Sequence, residues 1–468
     1  MKTIHTDVAI IGGGTAGMSA FRAARAHTDS VLLIEDNHFG TTCARVGCMP
    51  SKLLISAANA RHNAQHTDLF GIKVEGEVKT DGQAVMQRVK AERDRFVGFV
   101  LSDVNDFPAE CKLLGKATFQ DEHTLIVNNN NEITEVHFER AVIATGSRPA
   151  MVGDWLKLGD KLIVNDDVFN WDTLPESVAV FGTGVIGLEL GQALHRLGVK
   201  VYLFGQGGFI GSITDPVVLK KAQDIFNSEL EIYFDTQNTI SLNNQGKVAI
   251  EFEYNGEKRQ IETDYLLAAI GRTPNTDNIG LENLNIERNV RGVPVADPLT
   301  MQTSLPHIFI AGDSSAQVPL LHEAADQGKI AGNNAGAFPN INKGLRRSGV
   351  NVIFSEPQIM SAGERWVNLK DRADEIAIGE VSFDNQGRSR VMGINSGHMR
   401  IYADKQTGRF LGAEMVGPAA EHIAHLLAWA HQANMTITQM LDMPFYHPVI
   451  EEGVRTALRD AMSKFQAA

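Results

Sequence analysis

Cysteine is scarce in this sequence, and long apolar runs are missing. Only three of its 468 residues are cysteine, which excludes a disulfide scaffold and favours a reducing cytoplasm. No apolar run reaches the roughly 18 residues of a membrane helix, so we expect no membrane span. The first apolar run, in MKTIHTDVAIIGGG, is short, lacks a cleavage site and ends in glycines. It therefore predicts a buried strand rather than a secretory signal.

Positive charge is also in deficit. The 56 Asp and Glu residues outnumber the 43 Lys and Arg residues, which gives a formal net charge of −13. This balance argues against a protein that binds nucleic acid or an acidic membrane surface. Hydrophobic residues make up 43% and charged residues 21%, which is ordinary for globular proteins. The length predicts about three domains.

The order strand, glycine turn, helix, strand occurs twice. The first copy is DVAIIGGGTAGMSAFRAARAHTDSVLLIE and the second is SVAVFGTGVIGLELGQALHRLGVKVYLFG. Continuous apolar strands that alternate with helices predict parallel sheets. After about Lys343 the pattern changes to alternating strands with glycine turns, followed by two helices. The fold class is therefore α/β, with two Rossmann-like dinucleotide-binding domains and a C-terminal α+β domain.

The first glycine fingerprint is Gly12-x-Gly14-x-x-Gly17. In such a fingerprint the first glycine permits a tight turn, the second lets a pyrophosphate approach the backbone, and the third lets helix and strand pack closely. Glu35 ends the next strand, 23 residues after Gly12. A carboxylate at that distance receives the ribose hydroxyls of an adenosine, so this copy predicts a bound dinucleotide.

The second fingerprint is Gly182-x-Gly184-x-x-Gly187, and the position equivalent to Glu35 is Gly205. An acid there favours NAD and a basic residue favours NADP, and this segment holds neither. We expect a modest preference for NAD(H) over NADP(H). We also expect a glutamate introduced at Gly205 to sharpen that preference.

Two of the cysteines lie close together, in GTTCARVGCMPSK. Cys43 and Cys48 do not form a CxxC motif, and no further zinc ligands stand nearby. Pro50 suits the first turn of a helix, so Cys48 is predicted at a helix N-terminus, where N–H groups and the helix dipole stabilise a thiolate. Cys111 stands alone in a strand-like pattern and is expected to be a small buried hydrophobic residue.

Cys43-x4-Cys48 followed by Pro50-Ser51-Lys52 resembles the redox-active motif of the class I pyridine nucleotide-disulfide oxidoreductases. Four further segments along the chain resemble this family, namely ATGSRP at 144–149, IGRTPN at 270–275, AGD at 311–313 and HPVIEE at 447–452. Within the family, the motifs are most similar to those of the dihydrolipoamide dehydrogenases.

The resemblance implies a bound FAD and a reversible disulfide between Cys43 and Cys48. Cys43 would be the outer thiol that exchanges with substrate, and Cys48 the inner thiol that faces the flavin. Lys52 would place a cation near the reactive edge of the flavin, and Glu189 would be its ion-pair partner.

The C-terminal motif implies an acid/base residue. His447 would exchange protons with the substrate, and Glu452 would orient its imidazole. In the family this histidine reaches the disulfide of the opposite subunit, so an obligate homodimer is implied. The cofactor contacts that the resemblance implies involve Gly12, Gly14, Gly17, Glu35, Lys52, Gly115, Thr145, Gly146, Gly182, Gly184, Gly187, Gly271, Asp313 and Leu321.

The implied domain order begins with an FAD-binding domain in two parts, 1–150 and 274–343. An NAD(P)-binding domain at 151–273 lies between them, and a dimerisation domain follows at 344–468. The implied activity is an FAD-dependent oxidoreductase that passes electrons between a dithiol, such as dihydrolipoamide, and NAD through Cys43 and Cys48.

Two departures from the dihydrolipoamide dehydrogenase pattern keep alternatives open. Gly205 stands where an acidic residue is usual, and Phe445-Tyr446 precedes His447 where His-Ala is more common. The alternatives are NADPH-dependent reduction of a low-molecular-weight disulfide and a non-catalytic redox-sensing flavoprotein. His422 and His425 share a helix face, but no third ligand is evident, so we expect no metal.

Overall fold

A computed structural model describes residues 2–130 and 132–465. Contacts within the chain define two compact units. The first unit comprises Met1–Pro50, Lys90–Ala150 and Arg272–Arg346, and the second comprises Ser51–Val89, Met151–Gly271 and Arg347–Ala468. The four-part domain division given above stays a prediction.

Among the described residues the strands are, in chain order, β1 (Lys2–Ile11), β2 (Val31–Glu35), β3 (Lys112–Leu114), β4 (Lys116–Asp121), β5 (Thr124–Asn129), β6 (Glu132–Ile143), β7 (Ser147–Pro149), β8 (Leu162–Ile163), β9 (Ser177–Phe181), β10 (Lys200–Gly205), β11 (Glu231–Phe234), β12 (Asn238–Leu242), β13 (Val248–Tyr254), β14 (Glu257–Thr263), β15 (Tyr265–Ala268), β16 (Arg272–Pro274), β17 (Ile308–Ile310), β18 (Val350–Ile353), β19 (Gln358–Gly363), β20 (Ile376–Ser382), β21 (His398–Asp404) and β22 (Phe410–Gly417).

The α-helices of the same residues are α1 (Thr15–Ala24), α2 (Thr42–Val46), α3 (Cys48–Gln65), α4 (Gly82–Asn105), α5 (Asn165–Val168), α6 (Val185–Arg196), α7 (Pro216–Glu229), α8 (Leu321–Ala337), α9 (Trp366–Leu369), α10 (Gly387–Val391), α11 (Ala420–Gln432), α12 (Ile437–Leu441) and α13 (Glu452–Ser463). Short 3₁₀ helices span Thr67–Phe70, Ala109–Cys111, Gly153–Lys161, Leu281–Asn283, Gly312–Ser315 and Lys370–Glu375.

The first unit contains a seven-stranded sheet in the order β3-β2-β1-β6-β5-β4, with β17 also paired to β6. Strands β3, β2, β1, β6 and β17 run parallel, and β4 and β5 form an antiparallel extension. Val8, Ala9 and Ile10 of β1 are fully buried, as expected of a parallel strand covered on both faces. The predicted strand is therefore confirmed, and it begins earlier, at Lys2.

Helices α1 and α8 pack closely against each other in the first unit. A Cβ atom at Gly328 would lie 2.2 Å from the carbonyl oxygen of Ala16, and one at Gly332 equally near that of Ala20. Glycine at these positions lets the two helix backbones meet. This contact packs α1, at whose start the first fingerprint lies, against α8.

The second unit repeats the parallel design with five strands in the order β11-β10-β9-β15-β8. Its core is rich in aromatic rings: Phe204 stacks on Phe181 at 4.6 Å and meets Phe252 edge-on at 5.2 Å. An antiparallel sheet, β12-β13-β14, completes this part. The two predicted Rossmann-like copies are both present.

The C-terminal part of the second unit is an antiparallel sheet in the order β18-β19-β22-β21-β20. Helices α11 and α13 pack on it, which confirms the predicted α+β region. Two details differ from the sequence pattern. Residues 387–391 form α10 instead of continuing a strand, and Cys111 ends a 3₁₀ turn instead of lying in a strand. Cys111 is buried, as expected.

Candidate active site

The first fingerprint forms a turn that only glycine can build. Gly12 has a φ of +109°, and a Cβ there would lie 2.2 Å from the carbonyl oxygen of Ala144. A Cβ at Gly17 would lie 1.8 Å from the carbonyl oxygen of Gly12. Gly14 is the N-cap of α1, has no side-chain cap and faces open space. The N–H groups that begin α1 can therefore receive a pyrophosphate.

Glu35 lies beside this turn at the end of β2. Its Oε2 accepts a hydrogen bond of 2.6 Å from the N–H of Gly13, and its Oε1 accepts one of 3.2 Å from Asn37. The N–H of Gly115 donates to the Glu35 carbonyl oxygen at 2.8 Å, and Gly115 has a φ of +146°. The carboxylate is thus held at the sheet edge where an adenosine ribose binds in this fold.

Asp313 lies just past β17, on the same sheet as the first fingerprint. Its Oδ2 accepts a 2.6 Å hydrogen bond from the Ser147 hydroxyl, and the Arg272 guanidinium donates to Ser147 Oγ at 2.7 Å. Thr145 Oγ1 donates to the Asn275 carbonyl at 2.6 Å. These bonds join the segments 145–149 and 272–275, which pair as strands β7 and β16.

Two other predicted flavin contacts are placed by backbone geometry. Gly146 has a φ of +70°, and its carbonyl accepts from the N–H of Asn275 at 2.9 Å. Leu321 is the first residue of α8, and its side chain is partly exposed. The structure therefore brings Gly12, Glu35, Gly115, Gly146 and Asp313 to the carboxyl edge of one sheet.

Cys43 and Cys48 occupy two successive short elements. Cys43 lies in α2, whose N-cap Thr41 accepts a hydrogen bond from the N–H of Ala44 at 3.1 Å. Cys48 is the first residue of α3, as Pro50 predicted. A Cβ at Gly47 would lie 3.1 Å from the Cα of Cys43, so glycine lets the chain turn tightly between the two cysteines.

Lys52 and Glu189 form the ion pair that the resemblance implies. Lys52 Nζ lies 2.8 Å from Oε2 and 3.0 Å from Oε1 of Glu189, which is 4% exposed. Glu189 also accepts from the Ser51 hydroxyl at 2.9 Å and from the N–H of Phe354 at 2.9 Å. Lys52 Nζ lies over the Phe354 ring, 4.6 Å from its centroid. The sequence pattern identified neither Ser51 nor Phe354 as a partner of Glu189, because backbone and hydroxyl donors leave no spacing signal.

His447 and Glu452 are also in contact. Nδ1 of His447 lies 3.0 Å from Glu452 Oε2, while the imidazole side chain is 81% exposed. Burial acts to raise the pKa of Glu452, but hydrogen bonds from the N–H of Val449 and from His447, together with the charge of Arg455, hold it below its usual range. Glu452 therefore stays a carboxylate that can fix the imidazole by Nδ1 and leave Nε2 exposed.

The second fingerprint has the same geometry as the first. Gly182 has a φ of +115°, a Cβ there would lie 2.3 Å from the Ala269 carbonyl oxygen, and one at Gly187 would lie 1.9 Å from that of Gly182. Gly184 is the uncapped N-cap of α6. Gly271, with a φ of +119°, has no atom within 4 Å of its Cβ position. This edge can receive a second pyrophosphate.

Gly205 lies in a crowded position, where an introduced side chain would come close to two neighbouring residues. A Cβ there would lie 2.8 Å from Thr183 Oγ1, 2.9 Å from Thr183 Cγ2 and 2.8 Å from Phe234 Cδ1. Thr183 is β-branched and stiff, and its hydroxyl donates to the Phe209 carbonyl at 2.6 Å. A glutamate at Gly205 would therefore require Thr183 or Phe234 to shift, and its expected effect on nucleotide choice stays a prediction.

Comparison with known proteins places the chain in a family. Residues 6–328 match the pyridine nucleotide-disulphide oxidoreductase family, and residues 350–458 match the dimerisation domain of the same proteins. The chain belongs to the pyridine nucleotide-disulphide oxidoreductases. It is 30% identical to a dihydrolipoyl dehydrogenase of Geobacillus stearothermophilus, over 96% of this chain and 94% of that protein. A Bacillus subtilis (strain 168) protein of the same name is 30% identical, over 96% and 95%.

Two solved structures share the fold. The HOCl-induced flavoprotein disulfide reductase RclA from Escherichia coli is 22% identical with a TM-score of 0.81, over 97% of this chain and 99% of that chain. LpdA from Mycobacterium tuberculosis is 21% identical with a TM-score of 0.82, over 97% and 99%.

Family membership makes this chain a flavoprotein disulfide oxidoreductase that uses FAD and a pyridine nucleotide. The dimerisation domain supports a homodimer. The first fingerprint fits FAD, because Gly14 leaves open the space that a side chain would fill and α1 presents its N–H groups there. In residues 2–130 and 132–465 no cluster of three or more metal-ligating side chains occurs, and none of the helices has the length and apolarity to cross a bilayer.

Proposed function

We propose that this chain oxidises a dithiol such as dihydrolipoamide with NAD⁺ through a disulfide between Cys43 and Cys48. The observation that carries the proposal is the His447–Glu452 pair. Its imidazole is oriented by a carboxylate at 3.0 Å, yet 81% of the side chain is exposed. A base that is fixed in orientation and open on its other nitrogen is what a thiol substrate needs, because only thiolates attack disulfides.

The first half of the reaction is carried by the two cysteines and the histidine. Nε2 of His447 accepts the proton of one substrate thiol, and the resulting thiolate attacks Sγ of Cys43. A substrate–Cys43 disulfide forms, the Cys43–Cys48 bond breaks, and Cys48 leaves as a thiolate. The start of α3 stabilises that charge through its N–H groups and dipole.

The second half releases the oxidised substrate. The remaining substrate thiol loses its proton to a base and attacks its own mixed-disulfide sulfur, so that the substrate leaves as a disulfide and Cys43 as a thiolate. When bound, FAD supplies the electron-pair relay between Cys48 and the nicotinamide. Lys52, held by Glu189 at 2.8 Å, contributes a fixed positive charge that favours anionic states near it.

Partner and location belong to the same proposal. We infer that His447 of one subunit serves the cysteines of the other, in keeping with the dimerisation-domain match. A reducing cytoplasm fits a pair of cysteines that must cycle between dithiol and disulfide. The relatives named dihydrolipoyl dehydrogenase support the lipoyl group as substrate.

A steady-state assay tests the substrate and the nucleotide together. The purified holoenzyme is supplied with lipoamide or glutathione disulfide, each with NADH or NADPH, and nicotinamide oxidation is followed by absorbance. We expect the largest kcat/KM for lipoamide with NADH. The largest value for glutathione disulfide with NADPH would instead establish the alternative reductase, and turnover with none of the four pairs would indicate a redox sensor.

A further inference from the structure

The two sheet edges that carry the glycine fingerprints correspond to each other strand by strand. In the first, Ile11 pairs with Ile34 and Glu35 pairs with Leu114. In the second, Phe181 pairs with Phe204 and Gly205 pairs with Phe234. Gly205 is thus the structural counterpart of Glu35, and the residue after Phe234 is the counterpart of the residue after Leu114.

Those two following residues are Gly115 and Asp235. The N–H of Gly115 donates to the Glu35 carbonyl at 2.8 Å, and the N–H of Asp235 donates to the Gly205 carbonyl at 2.9 Å. The acid and the glycine have therefore exchanged places. The first edge has its carboxylate on β2 and glycine after β3, whereas the second has glycine on β10 and its carboxylate after β11.

The residue between the first two glycines of each fingerprint accounts for the exchange. Gly13 leaves room for Glu35, whose Oε2 lies 3.1 Å from where a Gly13 Cβ would be. Thr183 occupies the corresponding space at the second edge and crowds any side chain at Gly205. The neighbouring strand offers another position from which a carboxylate can reach this edge.

Asp235 is placed to do so. It has a φ of +58°, a conformation that aspartate adopts more readily than most residues. Its Oδ1 accepts a 2.5 Å hydrogen bond from the N–H of Gly207, in the loop that follows β10. In the part of the chain that the structure describes, no other side-chain hydrogen bond and no ion pair of Asp235 is found, and the residue is exposed. Oδ2 can therefore accept a hydrogen bond from a ligand.

The loop that Asp235 contacts is held in place and carries no positive charge. The Thr183 hydroxyl binds the Phe209 carbonyl at 2.6 Å, and the Gln223 amide donates to the Gly208 carbonyl at 2.7 Å. Residues 201–219 include no lysine or arginine. Nothing in this segment would neutralise a ribose 2′-phosphate, and Asp235 would repel one.

We infer that Asp235 selects NAD(H) over NADP(H), with its carboxylate receiving the adenosine ribose from the strand next to the usual one. The inference rests on the proposed binding of a nicotinamide nucleotide at the second fingerprint. Asp235, which follows Gly205 by 30 positions, thus provides the discrimination between NAD(H) and NADP(H) that the sequence pattern left open.

Calorimetric titration of the intact holoenzyme with NAD⁺ and with NADP⁺ tests it. Asp235→Asn keeps the size of the side chain, an oxygen for the Gly207 N–H and a residue type that tolerates positive φ, but it removes the charge. We expect wild type to bind NAD⁺ more tightly. In the variant the Kd ratio of NADP⁺ to NAD⁺ should fall about tenfold, the size of one lost repulsion of about 1.4 kcal/mol. The effect should shrink as ionic strength rises.

Asp224→Asn is the matched control. Asp224 is an exposed residue of α7 paired with Lys220, so the substitution makes the same charge change elsewhere on the surface and should leave the ratio unaltered. A ratio in Asp235→Asn within twofold of wild type, or tighter binding of NADP⁺ by wild type, would overturn the inference. Binding of neither nucleotide would overturn the proposed function along with it. Failure to turn over lipoamide, with the expected ratios intact, would overturn only the proposed substrate.

Discussion

The proposed redox chemistry depends on single residues, and Cys48 is the clearest case. It begins α3, with Gly47 making the tight turn after Cys43. At the first position of a helix the N–H groups have no intrahelical partner, so a sulfur anion there gains hydrogen bonds and a favourable dipole. The segment predicted this placement through Pro50, which suits a first helical turn.

Replacing Cys48 with serine should therefore remove the thiolate that we propose faces the flavin. We expect Cys48→Ser to abolish the long-wavelength thiolate-to-flavin absorption band of the two-electron-reduced enzyme, measured by anaerobic reductive titration. Cys111→Ala is the control, since Cys111 is buried in the core of the first unit, and it should retain the band. Survival of the band in Cys48→Ser would show that another group supplies the charge.

At the scale of elements, neighbouring strands and helices determine how each motif is used. The two fingerprints have nearly the same backbone, with Gly12 and Gly182 at φ values of +109° and +115°. Their edges nevertheless differ, because the residue between the first two glycines is Gly13 in one and Thr183 in the other. The methyl and hydroxyl groups of Thr183 crowd the position that Glu35 occupies at the first edge, and at the second edge the nearby carboxylate is Asp235, which follows the next strand.

This crowding predicts a coupled effect on stability. Gly205→Ala should lower the melting temperature, because its Cβ would come within 3 Å of Thr183 and Phe234. In a Thr183→Ala background two of the three close atoms are gone, so the same substitution should cost less. Melting curves of wild type, both single variants and the double variant give the coupling. Strictly additive changes in melting temperature would contradict the proposed crowding.

At the same scale, the surroundings of a histidine in α3, which include a charged residue of α6, lower the pKa of that histidine. Burial, the charge of Arg196 and the neighbouring His66 lower the pKa of His62 to about 4. As the pH falls from about 6.5, the usual value, the unfolded chain takes up a proton that the folded chain does not. Stability contributed by neutral His62 is therefore lost between pH 6.5 and 4, and the loss levels off below.

His62→Gln should flatten this dependence. We expect its melting temperature to fall less than that of wild type between pH 7 and pH 4.5, as measured by circular dichroism in matched buffers. His422→Gln, on the exposed face of α11 with a side chain 70% exposed, should follow the wild-type curve. A His62→Gln curve parallel to wild type would show that the acid sensitivity arises at other groups.

For the whole molecule, the proposed activity depends on two chains. The exposed imidazole of His447 and the dimerisation-domain match support a base that serves the other subunit. His447→Ala should lower turnover by at least ~100-fold, as expected for a lost general base, without changing flavin content. A C2 dimer places two such sites in symmetric positions.

Subunit exchange tests the arrangement directly. His447→Ala protein is mixed with Cys43→Ser protein under conditions that allow subunits to re-pair. Random pairing makes half of the dimers mixed, and each mixed dimer has one intact site of two, so activity should return to about a quarter of wild type. Wild-type protein carried through the same procedure controls for losses. If mass measurement confirms exchange and activity stays absent, His447 acts on the cysteines of its own chain.

The sequence by itself determined the parts whose signals are local. The sequence predicted two glycine fingerprints, an acid at the end of β2, a cysteine pair before a helix and a His-x4-Glu spacing. Each of these signals depends on residues a few positions apart or on one strand–helix–strand step. The family resemblance rested on the same motifs. These segments alternate between buried strands and helices, so periodicity also predicted the α/β fold and the C-terminal α+β region.

Only the tertiary structure decided which distant residues share an edge. Asp235 follows Gly205 by 30 positions, with α7 between them, yet a hydrogen bond of 2.9 Å joins their backbones. Glu189 likewise meets the N–H of Phe354, 165 positions later. The order of strands in a parallel sheet depends on how the crossover helices pack. That packing cannot be predicted from the sequence spacing of the residues that it brings together. The sequence also did not predict how little space a side chain would have at Gly205, because that space depends on the side chains of Thr183 and Phe234.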